Sequence, residues 1–257
     1  MRATILIAIS LLLSMLLLAC GDGRGDRLGE PLDDVGEAAP QLADTPQPLS
    51  ILIFGGTAGV GLQTVELALQ RGHTVTSIAR RPERMTIEHE RLQNIKGDIT
   101  LPDTYEHLFA SQNVIISAIG LGPTRDEVTV YSQGMLAVLA SMAQHDNQRV
   151  ITITGIGSGN SQGHGGFFYD VILNPLLLKT DYEDKTRQEE ILADSVLDWT
   201  IVRPGFLTDD SAKTSYRVLR DLEGVTAGDI ARADVAHFLV AISEDDAYIR
   251  ETVLLTN

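Results

Sequence analysis

Apolar and polar positions divide the chain into unlike parts. Residues 3–19 (ATILIAISLLLSMLLLA) run without a single charge, close to the ~18–20 residues that cross a bilayer core. Residues 20–49 lose all hydrophobic period. From Ser50 onward, short apolar runs alternate with segments whose apolar residues recur at helical spacing. Ser50 to Phe54 (SILIF) reads as a parallel strand buried on both faces. It leads into Gly55-Gly56-Thr57-Ala58-Gly59-Val60-Gly61, after which Leu62, Val65, Ala68 and Leu69 mark one face of a helix that Gly72 stops. A second strand over 74–79 closes a βαβ unit of about 30 residues. Further strands are predicted over 91–96, 113–118, 149–154, 198–202 and 252–255, with helices over 102–110, 130–144, 181–193 and 234–242. This alternation predicts the α/β class: a doubly wound parallel sheet, or Rossmann fold, as a single domain over 50–257. Its ligand crevice is expected beyond the carboxyl ends of the strands, at the switch point.

Charge and cysteine content narrow the chemistry. The 257 residues carry 20 Lys and Arg against 35 Asp and Glu, a net charge of −15. A nucleic-acid binder needs clustered cations to displace counterions from phosphate, so nucleic acid is excluded as a partner. The single cysteine, Cys20, leaves no internal disulfide and no multi-cysteine metal site. The six histidines stand apart without ligand spacing, and no metal is assigned. Seven acids against Arg24 and Arg27 make residues 20–49 a flexible acidic linker.

The glycine turn is placed where a dinucleotide fingerprint must be, after a buried strand and at the opening of a helix. Gly55, Thr57, Ala58, Gly59, Val60 and Gly61 are therefore expected to cradle a pyrophosphate, since a Cβ at the glycines would hold the phosphate away. The second strand ends in Ala79-Arg80-Arg81. An acid there would accept from the ribose 2′-hydroxyl of NAD, whereas guanidinium groups grip a 2′-phosphate. Arg80 and Arg81 thus favour NADP over NAD.

Two resemblances add to this reading. Leu17-Leu18-Ala19-Cys20 resembles the lipobox of bacterial lipoproteins, which implies cleavage of segment 1–19 before Cys20 and lipidation of its thiol; an uncleaved anchor is the alternative. Either way the chain is expected to meet a membrane through its N-terminus, on a face that Arg2, Arg24 and Arg27 do not decide. The spacing Gly55-x-x-x-Gly59-x-Gly61 resembles the short-chain dehydrogenase/reductase superfamily. Arg203-Pro204-Gly205, within residues 197–209, resembles its atypical NAD(P)H-binding branch, which includes biliverdin-reductase-B-like and NmrA-like proteins. That resemblance implies that Asp98 and Ile99 meet the adenine, that Ala118, Ile119 and Gly120 border the cofactor, and that Pro204 lies beside it. Asp98 is equally suited to capping the following turn.

Catalytic residues are less plain. Superfamily members with the full catalytic set use Ser with Tyr-x-x-x-Lys, a motif absent here. Tyr182 and Lys185, three residues apart, share one helical face, and Thr154 ends the fifth strand at the serine's place. Lys185 with Glu189 reads equally as an exposed helical ion pair. Six glycines within residues 155–166 suit either a mobile substrate lid, with Phe167, Phe168 and Tyr169 over the nicotinamide, or a surface loop. Three functions stay open: an NADPH-dependent oxidoreductase of unknown small-molecule substrate, a non-catalytic NADP-binding redox sensor, and a membrane-associated scaffold that kept the fold. Cys20→Ser is expected to abolish lipid labelling. Absence of label from the wild type, together with an intact N-terminus, would overturn the lipoprotein reading.

Overall fold

The computed structural model describes residues 36–257 except Pro123 and Asp246. The apolar run 3–19 and Cys20 lie outside the described residues. One nine-stranded sheet forms the centre, with strands β1 (Glu37–Ala38), β2 (Ser50–Phe54), β3 (Thr74–Ala79), β4 (Leu92–Lys96), β5 (Val114–Ser117), β6 (Arg149–Ile153), β7 (Asp198–Pro204), β9 (Arg217–Leu219) and β11 (Glu251–Thr256). Its order is β1-β9-β11-β7-β6-β5-β2-β3-β4. The seven strands from β11 to β4 are parallel, while β9 and β1 add antiparallel pairs at one edge. A separate parallel pair, β8 (Phe206–Thr208) and β10 (Asp229–Ala231), stands beyond β7. The helices are α1 (Gly59–Gln70), α2 (Val130–Gln144), α3 (Lys179–Ala193) and α4 (Arg232–Glu244).

Strand alternation explains the layering. Ile51 and Ile53 face one apolar layer with Val65 and Leu69 of α1 and Val235, Phe238 and Leu239 of α4. Leu52 and Phe54 face the opposite layer with Met135 and Val138 of α2 and Leu192 of α3. Both faces of β2 are therefore covered, as its unbroken apolar run predicts. The doubly wound parallel sheet expected from the sequence is the fold observed. Its order reverses between β2 and β5, where the chain leaves β2 toward β3 on one side and later returns on the other.

Three local departures have physical causes. Residues 102–110 form two 3₁₀ turns, Pro102–Thr104 and Glu106–Ser111, rather than one helix. Thr104 Oγ1 donates to the Leu101 carbonyl at 2.6 Å, and Asp98 Oδ1 accepts from the Thr100 amide at 3.0 Å, so short side chains compete for the backbone. Tyr169–Leu178 is a π-helical run where a loop is expected. The third departure is at the start. Residues 36–49, assigned by composition to the linker, pack on the domain: β1 pairs with β9, Ala39 is buried, and Leu42 and Leu49 lie against the core. A two-residue strand has no period to read.

Glu244 at the end of α4 fastens this segment. Its carboxylate accepts from the Ala43 amide at 3.0 Å and pairs with Arg71 at 2.8 Å and with His73 Nε2 at 3.0 Å. The Leu49 amide donates to His73 Nδ1 at 3.2 Å, which leaves the ring proton on Nε2, facing Glu244. Burial pushes the Glu244 carboxyl up, but the hydrogen bonds from Arg71, His73 and Ala43 outweigh it and hold it below the usual carboxylate range. A carboxyl depressed on folding contributes stability above its unfolded pKa and loses it as pH falls through the folded value. Glu244→Gln is therefore expected to cost about 3 kcal/mol in chemical denaturation at neutral pH. It should also open residues 40–47 to protease, and the deficit should shrink on acidification.

Candidate functional site

A cleft of about 470 Å³ crosses the carboxyl ends of β2, β3 and β5 at the order reversal. Its floor is the turn between β2 and α1. Gly55 and Gly59 take φ of +85° and +54°, the left-handed region that costs glycine nothing. A Cβ on Gly55 would come within 2.7 Å of the Ala118 carbonyl oxygen, and one on Gly61 would overlap the Gly55 carbonyl. Gly55, Thr57, Ala58, Gly59 and Val60 line the cleft. Gly61 does not: it lies behind the turn and lets α1 close on β2, a packing role rather than the contact expected. Ala58 precedes α1 without a side-chain cap, and no acid occupies the first turn, so the helix start presents bare amides and positive dipole to the cleft.

On the β3 side, Arg80, Arg81 and Arg84 line one end, with Asp98 and Ile99 beyond β4. Asp98 Oδ1 also accepts from the Thr100 amide and hydroxyl, so cleft lining and turn capping coexist. Arg232, at the start of α4, reaches over Gly59, its Nε 3.8 Å from where a Cβ on Gly59 would be, and Nη1 donates to Asp209 at 2.8 Å. No sequence pattern marks Arg84 or Arg232, because neither position follows from the fingerprint.

On the β5 to β7 side, Ala118, Ile119, Gly120, Thr154, Lys185 and Pro204 line the other end. Lys185 Nζ pairs with Asp181 Oδ2 at 2.8 Å and stands 5.1 and 4.9 Å from the ring centroids of Tyr131 and Tyr182. Tyr131 Oη donates to Asp181 Oδ1 at 2.7 Å and accepts from the Leu121 amide. Burial first, then the Asp181 carboxylate, pushes the Tyr131 phenol far up, so it stays neutral and donating. The expected pair of Lys185 with Glu189 does not form. Glu189 is buried against Arg203, with Oε2 2.6 Å from Nη2, and accepts from Thr154 Oγ1 at 2.6 Å.

Tyr182 is absent from the cleft lining. Its hydroxyl lies 3.0 Å from where a Cβ on Gly155 would be, and its ring fills the space above Gly157. The glycine-rich segment is not loose at its start: Ser158 and Ser161 are buried, and the Gly159 amide donates to Thr186 Oγ1 at 3.0 Å. Tyr169 is buried edge-on to Phe206 at 5.1 Å rather than covering the cleft. Among the described residues no His, Cys, Asp and Glu cluster could hold a metal ion.

A family model described as NAD(P)H-binding matches residues 55–246. The chain belongs to this NAD(P)H-binding family. A relative in Schizosaccharomyces pombe named as an uncharacterized oxidoreductase is 30% identical over 80 residues, a match covering 28% of this chain and only 27% of that protein. Among solved structures, an anaerobillin reductase from Escherichia coli O157:H7 superposes with a TM-score of 0.68 at 24% identity, covering 80% of this chain and 96% of that one. A short-chain dehydrogenase/reductase from Veillonella parvula, in complex with NADP, gives 0.68 at 18% identity over 82% and 95% of the chains. At these identities the superpositions speak for the fold alone.

The residues present fit the cofactor the family implies. A dinucleotide requires close backbone approach at the glycine turn, and Cβ atoms at Gly55 and Gly61 would destroy that turn. It also requires cations near its phosphates, and Arg80, Arg81, Arg84 and Arg232 all line the same cleft.

Proposed function

We propose that the chain is an NADPH-dependent reductase held at a membrane by its N-terminal segment, with Cys20 as the lipid attachment point. The observation that carries the reductase reading is the polarity of one cleft: arginines at the β3 end, a glycine cradle in the middle, and a fixed ammonium, Lys185, at the other end. Bound NADPH supplies a hydride, and the chain's own residues bind, orient and protonate. Gly55, Thr57, Ala58, Gly59 and Val60 take the pyrophosphate with the first amides of α1. Arg80 and Arg81 take the 2′-phosphate, Asp98 and Ile99 border the adenine, and Ala118, Ile119, Gly120 and Pro204 wall the nicotinamide end. Lys185 Nζ holds the proton that an acceptor oxygen or nitrogen needs, and Asp181, fixed by Tyr131, aims it. Thr154 positions Glu189 and Arg203, while Tyr182 serves as the wall under Lys185.

The second reading, a cofactor-binding sensor without turnover, is favoured by one observation. The Thr154 hydroxyl is committed to Glu189 and the Tyr182 hydroxyl is turned toward Gly155, so neither is presented to an acceptor.

Replacing Arg80 and Arg81 together by Ala is expected to weaken NADPH by about 2 kcal/mol or more while leaving NADH nearly unchanged, read by titration calorimetry. Equal losses for both cofactors would remove the 2′-phosphate assignment. With a panel of quinones, flavins and aldehydes, the wild type is expected to oxidise NADPH. Lys185→Met should then lower kcat by about 100-fold or more, with NADPH affinity preserved. Tight NADPH binding with no acceptor reduced would instead support the sensor.

A further inference from the structure

Among the described residues, six of the ten exposed large apolar side chains lie on the π-helical run and the two residues before it. Phe167 is 79% exposed, Phe168 63%, Val171 56%, Ile172 40%, Leu176 56% and Leu177 40%. These fall in pairs four to five residues apart, the repeat of a helix bonded i to i+5, so all three pairs share one face. Ordinary surfaces scatter such residues singly, and a contiguous strip marks a contact. The strip is joined to the rest of the domain by Tyr169 against Phe206 at 5.1 Å, by Arg125 Nε donating to the Leu176 carbonyl at 3.3 Å, and by Thr180 Oγ1 donating to the Thr124 carbonyl.

We propose that this face docks on the surface of a zwitterionic lipid bilayer. The chain itself argues for that occupant over another protein. The proposed function already holds the chain at a membrane through Cys20. Residues 20–35 can extend to no more than about 55 Å, which confines the domain near that membrane. Tethering keeps the strip at high local concentration beside the bilayer, so a modest apolar contact is enough to dock it. The contact is interfacial: among the described residues no helix is long and apolar enough to cross a membrane. Its drive is apolar burial rather than charge, because Arg125 and Lys179 at the rim are matched by Asp126, Glu127 and Glu183. A net charge of −15 also repels anionic lipid, which selects a neutral surface. Tyr169, on the inner side of this run, lies edge-on to Tyr182 at 6.5 Å, and the Tyr182 ring is 4.9 Å from Lys185 Nζ, so the strip lies near the Lys185 end of the cleft. Docking places that end at the lipid, so a lipid-soluble acceptor is the class it admits, a consequence that rests on the reductase reading.

The full chain carrying Val171→Trp is bound to phosphatidylcholine vesicles, with or without brominated acyl chains. The native Trp199 is buried and serves as a constant background. The Trp at position 171 is expected to lose emission in brominated vesicles, whereas Val196→Trp, on a residue 81% exposed past the far end of α3, should keep its emission. Phe168→Trp exchanges one ring for another and repeats the test with the smallest change to the fold. Flotation with the vesicles and no quenching at 171 or 168 would overturn the proposal, as would failure to float. Blue-shifted emission without bromine quenching would mean that residues 3–19 or a second copy covers the strip, and would overturn it too. Quenching is read without cofactor, so it stands or falls separately from NADPH turnover.

Discussion

The arrangement depends on how closely two backbones approach at the order reversal. Gly55 sits against the Ala118 carbonyl of the strand pair it borders, and Gly61 sits against Gly55 itself. With any side chain at either position, α1 could not start where β2 ends. The helix would be displaced along its axis and its first amides would no longer face the cleft. The same closeness lets β5 lie beside β2 and opens the crevice between two crossovers that run in opposite directions. Fold and cradle are thus one constraint.

The opposite half of the cleft rests on a different kind of interaction. Arg203 and Glu189 are each 7% exposed and bond through two guanidinium nitrogens, at 3.0 and 2.6 Å. A buried pair of this type gains little stability over apolar packing but fixes geometry, because breaking either side leaves an uncompensated charge. Here it joins the end of β7 to α3 and collects two further groups, the Thr154 hydroxyl and the Asn160 amide oxygen. The Gly155 to Ser161 turn is compact because it wraps this pair. Glu189 is therefore a structural centre, and the helical spacing that suggests a Lys185 partner for it misleads. Asp181, one turn earlier on the same helix, takes the lysine instead.

Strands buried on both faces declare themselves by unbroken apolar runs, and the helices between them by period and stop signals, which is why β2, α1, α2 and the doubly wound parallel sheet follow from pattern. The cleft was legible for the same reason. A fingerprint fixes position as well as type, so Arg80 and Arg81 could be placed by counting from the glycines, while Asp98 followed from the superfamily resemblance. What pattern does not carry is contact across long sequence separation. Arg232 reaches Gly59 from the far end of the chain, and residues 36–49 are held by Glu244 about 200 positions away, as the 201-residue separation of Ala43 and Glu244 records. The strands β1, β8, β9 and β10 are two or three residues long, too short for any period. The π-helical run escaped because its repeat matches neither the helical nor the strand template.

The same packing fixes the Lys185 ammonium in the cleft. Lys185 needs its ammonium held at one point of the cleft, and a flexible four-carbon side chain does not do this alone. The Tyr131 and Tyr182 rings close on it from two sides at 5.1 and 4.9 Å, and Asp181 supplies the counter-charge. Asp181 in turn keeps its carboxylate aimed because Tyr131, whose phenol burial forbids from ionising, always donates to it. Tyr131 is anchored by the Leu121 amide, which belongs to the loop leaving β5 along the cleft wall. The position of the ammonium is thereby tied to the strand that borders the glycine turn, so both ends of the cleft are referenced to the same edge of the sheet. Under the proposed reductase reading, this arrangement gives a chain lacking Tyr-x-x-x-Lys a held ammonium at the cleft. The difference is that the tyrosine comes from α2 and acts through a carboxylate, rather than from α3 and directly.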